Sequence, residues 1–300
     1  MNMQRFCSLI FLTALLMLMT ASAWADLMQE VADGGVIDWG RMVIKCTGTG
    51  GGENNSDSMA TCDKDEVLAS ARRNALERIM TTLDAMVIAS DETAADLIDD
   101  DDVLEQRIRS LAANFREKGL HYMTDGSVEI DVELTLRGEL IDLLLPPSGN
   151  GRRVPDGLLC PVCGQPWPKD ADIPEELELL CLQGNPSEPY TGLVIDARGT
   201  GMQPALAPVV VNESGNIIYG VQFARRPRAV LAGLLSYEQD VNLAAKMNRV
   251  SPRALLIEAR RSRGSKGTEL VIENEDAALL HCMPQHLKFL SECRVIIVLN

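Results

Sequence analysis

Val128-Glu129-Ile130-Asp131-Val132-Glu133-Leu134-Thr135-Leu136-Arg137 decides how the first half of this chain folds. Aliphatic and polar side chains alternate through it. A period of two puts every aliphatic on one face of a β-strand and leaves the charges in water. Asp125-Gly126 just before it is a turn signal, which predicts Leu120 to Met123 as the hairpin partner. A sheet that is apolar on one side needs helices on that side. Upstream, Val67, Leu68, Ala71, Ala75, Leu76, Ile79, Leu83 and Met86 fall on one helical stripe that starts near Asp65. Leu104, Ile108, Leu111, Ala112 and Phe115 mark a second, shorter amphipathic helix. Val43 and Ile44 begin a short strand, and Gly48-Thr49-Gly50-Gly51-Gly52 after it reads as an exposed, flexible loop.

Leu143-Leu144-Leu145 closes this unit, and Pro146-Pro147-Ser148-Gly149-Asn150-Gly151 marks a linker. Beyond it the rhythm changes. Leu193-Val194-Ile195 is a strand of the buried type. Val209-Val210-Val211 and Ile217-Ile218-Tyr219 flank a turn-forming segment as a hairpin. Leu255-Leu256-Ile257 and Leu270-Val271-Ile272 repeat that arrangement across Gly264 to Gly267. Asn274 or Asp276 is placed to cap a helix that carries Ala277 and Leu280 and runs toward Leu290. Val295 to Leu299 ends the chain as a buried strand. The expected fold is α+β in two domains, each a mixed or antiparallel sheet packed with a few helices. Residues 26–147 form the first, 148–189 the Pro- and Cys-containing linker, and 190–300 the second.

The N-terminus predicts export. Arg5, the apolar run Phe6 to Met19 and the small-x-small end Ala23-Trp24-Ala25 form a cleavable leader over residues 1–25. The run is shorter than the ~20 apolar residues a membrane-spanning helix needs. The mature chain is therefore expected to start near Asp26, in the periplasm or secreted, with no transmembrane anchor. A net charge of −15 repels phosphate backbones, which excludes nucleic acid as a partner. Asp99-Asp100-Asp101-Asp102 lacks the ligand alternation and glycine of a calcium loop and suits a helix start or a solvated turn.

Cys46, Cys62, Cys160, Cys163, Cys181, Cys282 and Cys293 remain after leader removal. They could pair as disulfides in an oxidising compartment, and their odd number leaves one over. Cys160-Pro161-Val162-Cys163-Gly164 is the sharpest local motif. Two thiolates at this spacing, followed by glycine, form a knuckle used in zinc sites, and Cys181 is a candidate third ligand. Gly184 stands where a fourth cysteine would be expected. Gln165-Pro166-Trp167-Pro168 breaks any following helix, which removes the usual means of lowering a thiol pKa in a redox pair. A structural staple ranks above zinc, and zinc above redox chemistry. A catalytic constellation is not found, so no enzyme activity and no cofactor other than zinc are expected. His121 reads as an exposed sheet residue, and His281 and His286 as loop neighbours of Pro284. Asp196 reads as a turn cap paired with Arg198, and Glu273, Glu275 and Asp276 as helix-start acids. The basic groups Arg225-Arg226-Pro227-Arg228 and Arg260-Arg261-Ser262-Arg263 with Lys266 suggest an acidic partner surface, such as the first domain of a second copy.

Tyr190 to Gly199, Gly215 to Gly220, Leu270 to Ala277 and Phe289 to Val298 carry a family likeness, joined by the helix Ala69 to Met86 and the strand Ser127 to Leu136. In these stretches the chain resembles exported bacterial proteins of the twenty-kilodalton lipoprotein family and the related flagellar assembly protein T and flagellar outer-membrane protein P. It differs from the lipoproteins in having no cysteine at the cleavage site. The resemblance rests on structural motifs. It implies a non-enzymatic role with envelope or flagellar proteins as partners, self-association included. The alternative class is a periplasmic thiol or zinc-binding protein that uses Cys160 and Cys163.

Overall fold

The strand read first from sequence is the middle of a layered unit in the computed structural model, which describes residues 27–51, 64–99, 101–147, 158–159, 180–181, 188–281 and 283–300. Residues 1–25, expected to be a leader, lie outside these residues, as does most of the expected linker, Cys160 and Cys163 included. In the first half, β1 (Met28–Glu30), β2 (Val36–Asp38), β3 (Val43–Gly50), β6 (Arg116–Tyr122) and β7 (Val128–Thr135) form an antiparallel sheet in the order β1-β2-β3-β7-β6. Val128, Ile130, Val132 and Leu134 are all buried, as the alternation requires. Helix α1 (Lys64–Asp84) covers that face with Val67, Ala71, Ala75, Ile79 and Leu83. Each large aliphatic buried there stabilises the layer by roughly 1.5–3 kcal/mol. A short hairpin, β4 (Val87–Ala89) with β5 (Glu92–Thr93), leads into α2 (Ala94–Ile98). A capping box between Thr93 and Asp96 starts that helix. Asp101 caps α3 (Asp102–Ala112) by accepting from the amides of Val103 and Leu104, and α4 (Glu139–Leu144) completes the half.

Gly48 and Gly50, read as part of a flexible loop, belong to β3 instead; Gly52 lies outside the described residues. Gly48 and Gly50 are buried and pair with Ile130 and Val128. A Cβ on Gly48 would lie 2.4 Å from the Ala71 carbonyl oxygen, and one on Gly50 would lie 2.2 Å from that of Val67. Glycine is used here because the backbone of α1 rests directly on the strand.

Two two-residue strands come from the linker: β8 (Leu158–Leu159) and β9 (Leu180–Cys181), antiparallel. The second half holds two four-stranded sheets. The first is entirely parallel, in the order β13-β17-β10-β14, from β10 (Gly192–Asp196), β13 (Ser236–Glu238), β14 (Ala254–Glu258) and β17 (Val295–Val298). The other, in the order β12-β11-β16-β15, joins β11 (Val209–Asn212), β12 (Ile217–Tyr219), β15 (Arg261–Arg263) and β16 (Glu269–Ile272). The β11–β12 hairpin forms as expected. Leu255-Leu256-Ile257 and Leu270-Val271-Ile272 do not pair. The first joins β10 in parallel, and β15 takes the place opposite β16. Helix α5 (Arg226–Ala232) precedes β13, and α6 (Val241–Lys246) packs Ala244 on Val194, Ile296 and Val298. In place of one helix running to Leu290 there are two, α7 (Asn274–His281) and α8 (Pro284–Ser291), with Pro284 starting the second. The α+β class holds in both halves.

One apolar cluster runs through both halves. Trp39 meets Tyr237 edge to face at 6.0 Å, and the amides of Leu206 and Ala207 bond the carbonyls of Val87 and Ile88 at 2.9 and 2.7 Å. Arg226 Nε donates to Asp142 Oδ1 at 2.5 Å, and its Nη1 to the Pro146 carbonyl at 3.1 Å. Arg226→Ala should lower the urea midpoint by an amount worth about 1–2 kcal/mol, because these acceptors lose a charged donor in a half-buried place. Arg226→Lys should recover only part of that loss, since one ammonium cannot span both acceptors.

Ser90 Oγ donates to Glu269 Oε1 at 2.5 Å across the same junction. Ser90 first, and Arg263 after it, hold the Glu269 carboxyl below its ordinary range. A depressed carboxyl stabilises the fold above its unfolded pKa near 4.5, and that contribution is lost as pH falls through the lower folded value. Glu269→Gln should therefore flatten the loss of urea stability below about pH 4.5.

Candidate functional site

The face of the first sheet turned away from α1 is the candidate site. Lys45 and Thr47 of β3, Asp131 and Glu133 of β7, and Lys118 and His121 of β6 stand on it because their strands alternate with the buried set. Thr47 Oγ1 donates to Asp131 Oδ1 at 2.8 Å, and His121 Nε2 lies 3.1 Å from Asp131 Oδ2. Lys118 and Arg41 reach Glu133 at 3.0 and 3.3 Å, and Lys45 reaches Asp38 at 2.7 Å. The Thr47 hydroxyl, and then His121, hold Asp131 below the usual carboxylate range. Lys118 does the same first for Glu133. Opposite charges facing one another across strands keep these side chains in fixed positions.

A cleft of about 570 Å³ opens at the rim of this face. It lies where β2 begins, at Val36 opposite Lys45, while β3 runs on unpaired on that side to Gly50. Gly34, Gly35, Cys46, Thr47, Arg78 and Lys118 are among its lining residues. Arg78 closes one wall by donating Nε and Nη2 to the Gly34 carbonyl at 2.9 and 2.7 Å. The Gly35 amide donates to Thr82 Oγ1 at 2.7 Å. Burial pushes the Cys46 thiol up, with Thr82 and Arg78 opposing, so it stays protonated at neutral pH and is a poor nucleophile. A two-signed polar surface with a cleft at its rim is suited to recognising another polar surface.

Cys160 and Cys163, the sharpest sequence candidates, lie outside the described residues. Cys181 is in β9, where its backbone pairs with Leu158, two positions before Cys160. Among the described residues no group of three or more His, Cys, Asp or Glu is placed to hold a metal ion. Cys46 and Cys293 are buried free thiols. Asp196 caps its turn as read from sequence: its Oδ1 accepts from the Arg198 amide at 3.1 Å, and its Oδ2 lies 2.6 Å from Arg198 Nη2. Glu275 and Asp276 lie in the first turn of α7, and Glu273 pairs with Arg260.

Three residues of the basic groups, Arg226, Arg260 and Arg263, meet acidic partners inside this chain. Arg226 clamps Asp142 of the first half, and Arg263 pairs with Glu269 at 2.6 Å. His121 is exposed on its strand, as expected. His281 ends α7 and His286 lies in the first turn of α8, so the two flank the helix break before Pro284 as expected, and both are buried.

Sequence reading placed the β7 charges in water but missed their partners on β3. Lys45, Thr47 and Thr49 alternate in step with Glu129, Asp131 and Glu133. The adjacent glycines obscured that period.

Among the described residues, no helix is long and apolar enough to cross a membrane. No curated protein matches the chain. Residues 192–300 match a family model described as the second domain of Treponema pallidum Tp0624. The second half, from β10 to the last residue, is thus similar to that domain.

Proposed function

We propose that this chain is an exported, non-enzymatic envelope protein that binds other envelope components, in a flagellum- or surface-associated assembly. The apolar run Phe6 to Met19 with Ala23-Trp24-Ala25 supports export. The observation that carries the binding role is the open face of the first sheet, with its ordered cross-strand charges and the cleft at its rim. Polar faces held in fixed geometry set partner choice and register more than raw affinity. The test compares affinity-tagged full-length chain with Lys45→Glu/Lys118→Glu, each recovered under gentle conditions from the producing cells. A discrete partner held by the parent and lost from the variant, with both proteins equally folded, supports the reading. Identical recovery from both removes the face from it.

A second reading is favoured by the β8–β9 register, which joins the two chain segments that carry Cys160, Cys163 and Cys181. In that reading the linker is a zinc or disulfide staple. Native and denaturing mass of the alkylated chain separates the two forms. Zinc is a metal-sized increment lost on denaturation, and each disulfide is a deficit of two protons.

A further inference from the structure

His286 is fully buried in α8, and its ring lies between those of Tyr190 and Phe289, 5.5 Å from each. Both ring nitrogens are engaged. Nδ1 lies 2.9 Å from the Leu279 carbonyl oxygen, and Nε2 lies 3.2 Å from the Tyr190 amide nitrogen. The chemistry of these partners fixes the protonation state. A carbonyl only accepts and a main-chain amide only donates, so Nδ1 carries the proton and Nε2 must offer its lone pair. The ring is neutral in this arrangement. A second proton has one place to go, Nε2, and there it removes the acceptor of the Tyr190 amide.

The Tyr190 segment is where the chain arrives from the linker into β10. Arg253 lies over the Tyr190 ring at 4.7 Å and donates Nη1 to the Glu188 carbonyl at 2.6 Å, with Glu188 Oε2 at 3.1 Å. Arg253 is the cation on this side of His286, and Glu188 is spent on it. On α7, His281 turns to the Ile218 carbonyl and the Phe223 ring; on α8, Lys288 is exposed. Among the described residues, an imidazolium would be buried beside Arg253 without a carboxylate of its own.

From this geometry we propose that His286 is an acid-sensitive latch: the neutral ring holds residues 188–190 onto α8, and protonation of Nε2 releases them, loosening the attachment of the cysteine-bearing linker to the second half. Burial, with Arg253 adding to it, holds the imidazole below its ordinary value near 6.5, and the Leu279 carbonyl opposes this. The stabilising contribution of the neutral ring is complete above the unfolded pKa and declines as pH falls below it.

Hydrogen exchange on the full chain tests the latch. The Tyr190 amide should lose protection by about ten-fold or more between pH 7.5 and pH 5, after correction for intrinsic rates, while Leu193 and Val194 in β10 stay protected. In His286→Gln, whose side chain can accept and donate at every pH, Tyr190 protection should not change over this range. Should that variant fail to fold, the tautomer in the parent decides: nitrogen NMR at pH 7.5 should show the proton on Nδ1. An Nε2–H tautomer, or Tyr190 protection unchanged down to pH 5, overturns the proposal.

Discussion

Gly48→Ala is expected to unfold the first half under conditions in which the parent chain is stable. The added methyl would lie 2.4 Å from the Ala71 carbonyl oxygen, 2.5 Å from the Ala75 Cβ and 2.7 Å from the Ala75 amide nitrogen. Two of these atoms are backbone, so a side-chain rotation cannot relieve the contact. The helix must lift off β3, and the layer that holds Val67, Ala71, Ala75 and Ile79 loses its packing. Overpacking of a core costs about 1–3 kcal/mol where side chains can shift. Here the cost should be about 3 kcal/mol or more, at the upper end of that scale. Gly126→Ala is the control. Unlike Gly48, it is left-handed (φ 83°), but nothing lies within 4 Å of the added carbon, so it should cost only about 1 kcal/mol, from the backbone alone. Urea unfolding followed by the fluorescence of Trp39, which is fully buried, measures both. Equal midpoints for the two variants would mean that close approach of helix and strand is not what selects glycine at position 48.

The second large effect belongs to Arg249. Its Nη1 donates to the Cys293 carbonyl at 2.8 Å, and its Nη2 to the carbonyls of Ala232 and, at 3.2 Å, Gly233. These acceptors lie at the end of α5 and just before β17, so one guanidinium ties together segments far apart in sequence. Burial lowers its pKa from the usual guanidinium value, with Tyr219 and Cys293 opposing. Arg249→Met keeps much of the volume but leaves several carbonyls without a donor. At about 1.5 kcal/mol or more for each bond to a charged group, a loss of about 3 kcal/mol or more is expected. Arg249→Lys should rescue little, because one ammonium cannot reproduce the fork. Differential scanning calorimetry on the full chain reads the effect. A melting temperature within two or three degrees of the parent would show that water replaces the guanidinium without loss.

Local periodicity carried much of the first half. Val128 to Leu136 reads as a one-sided strand because alternation is a property of the strand itself, and the α1 stripe reads correctly for the same reason. Glycine in β3 misled because its cause is contact with the backbone of α1, at Val67 and Ala71, which no local pattern records. The partner of β14 was misread for a related reason. Leu270 to Ile272 is near in sequence and equally apolar, whereas the true partner, β10, lies about sixty residues upstream. Parallel pairing depends on the crossover between strands, which composition does not encode. At the candidate site the charges of β7 were legible but not their answering groups on β3 and β6, because register is a tertiary property. His286 was read from Pro284 beside it. Proline starts α8 there, and so places the ring in the core.

The central claim is that the open sheet face binds a partner in the envelope. Site-specific photo-cross-linking in intact producing cells tests it most directly, with the reactive residue at Thr47 on that face and at Val103 on exposed α3 as the comparison. The account predicts a discrete adduct of higher mass from position 47 only, abolished when Lys45→Glu and Lys118→Glu are added. Monomer alone at position 47, or the same adduct from both positions, would contradict it.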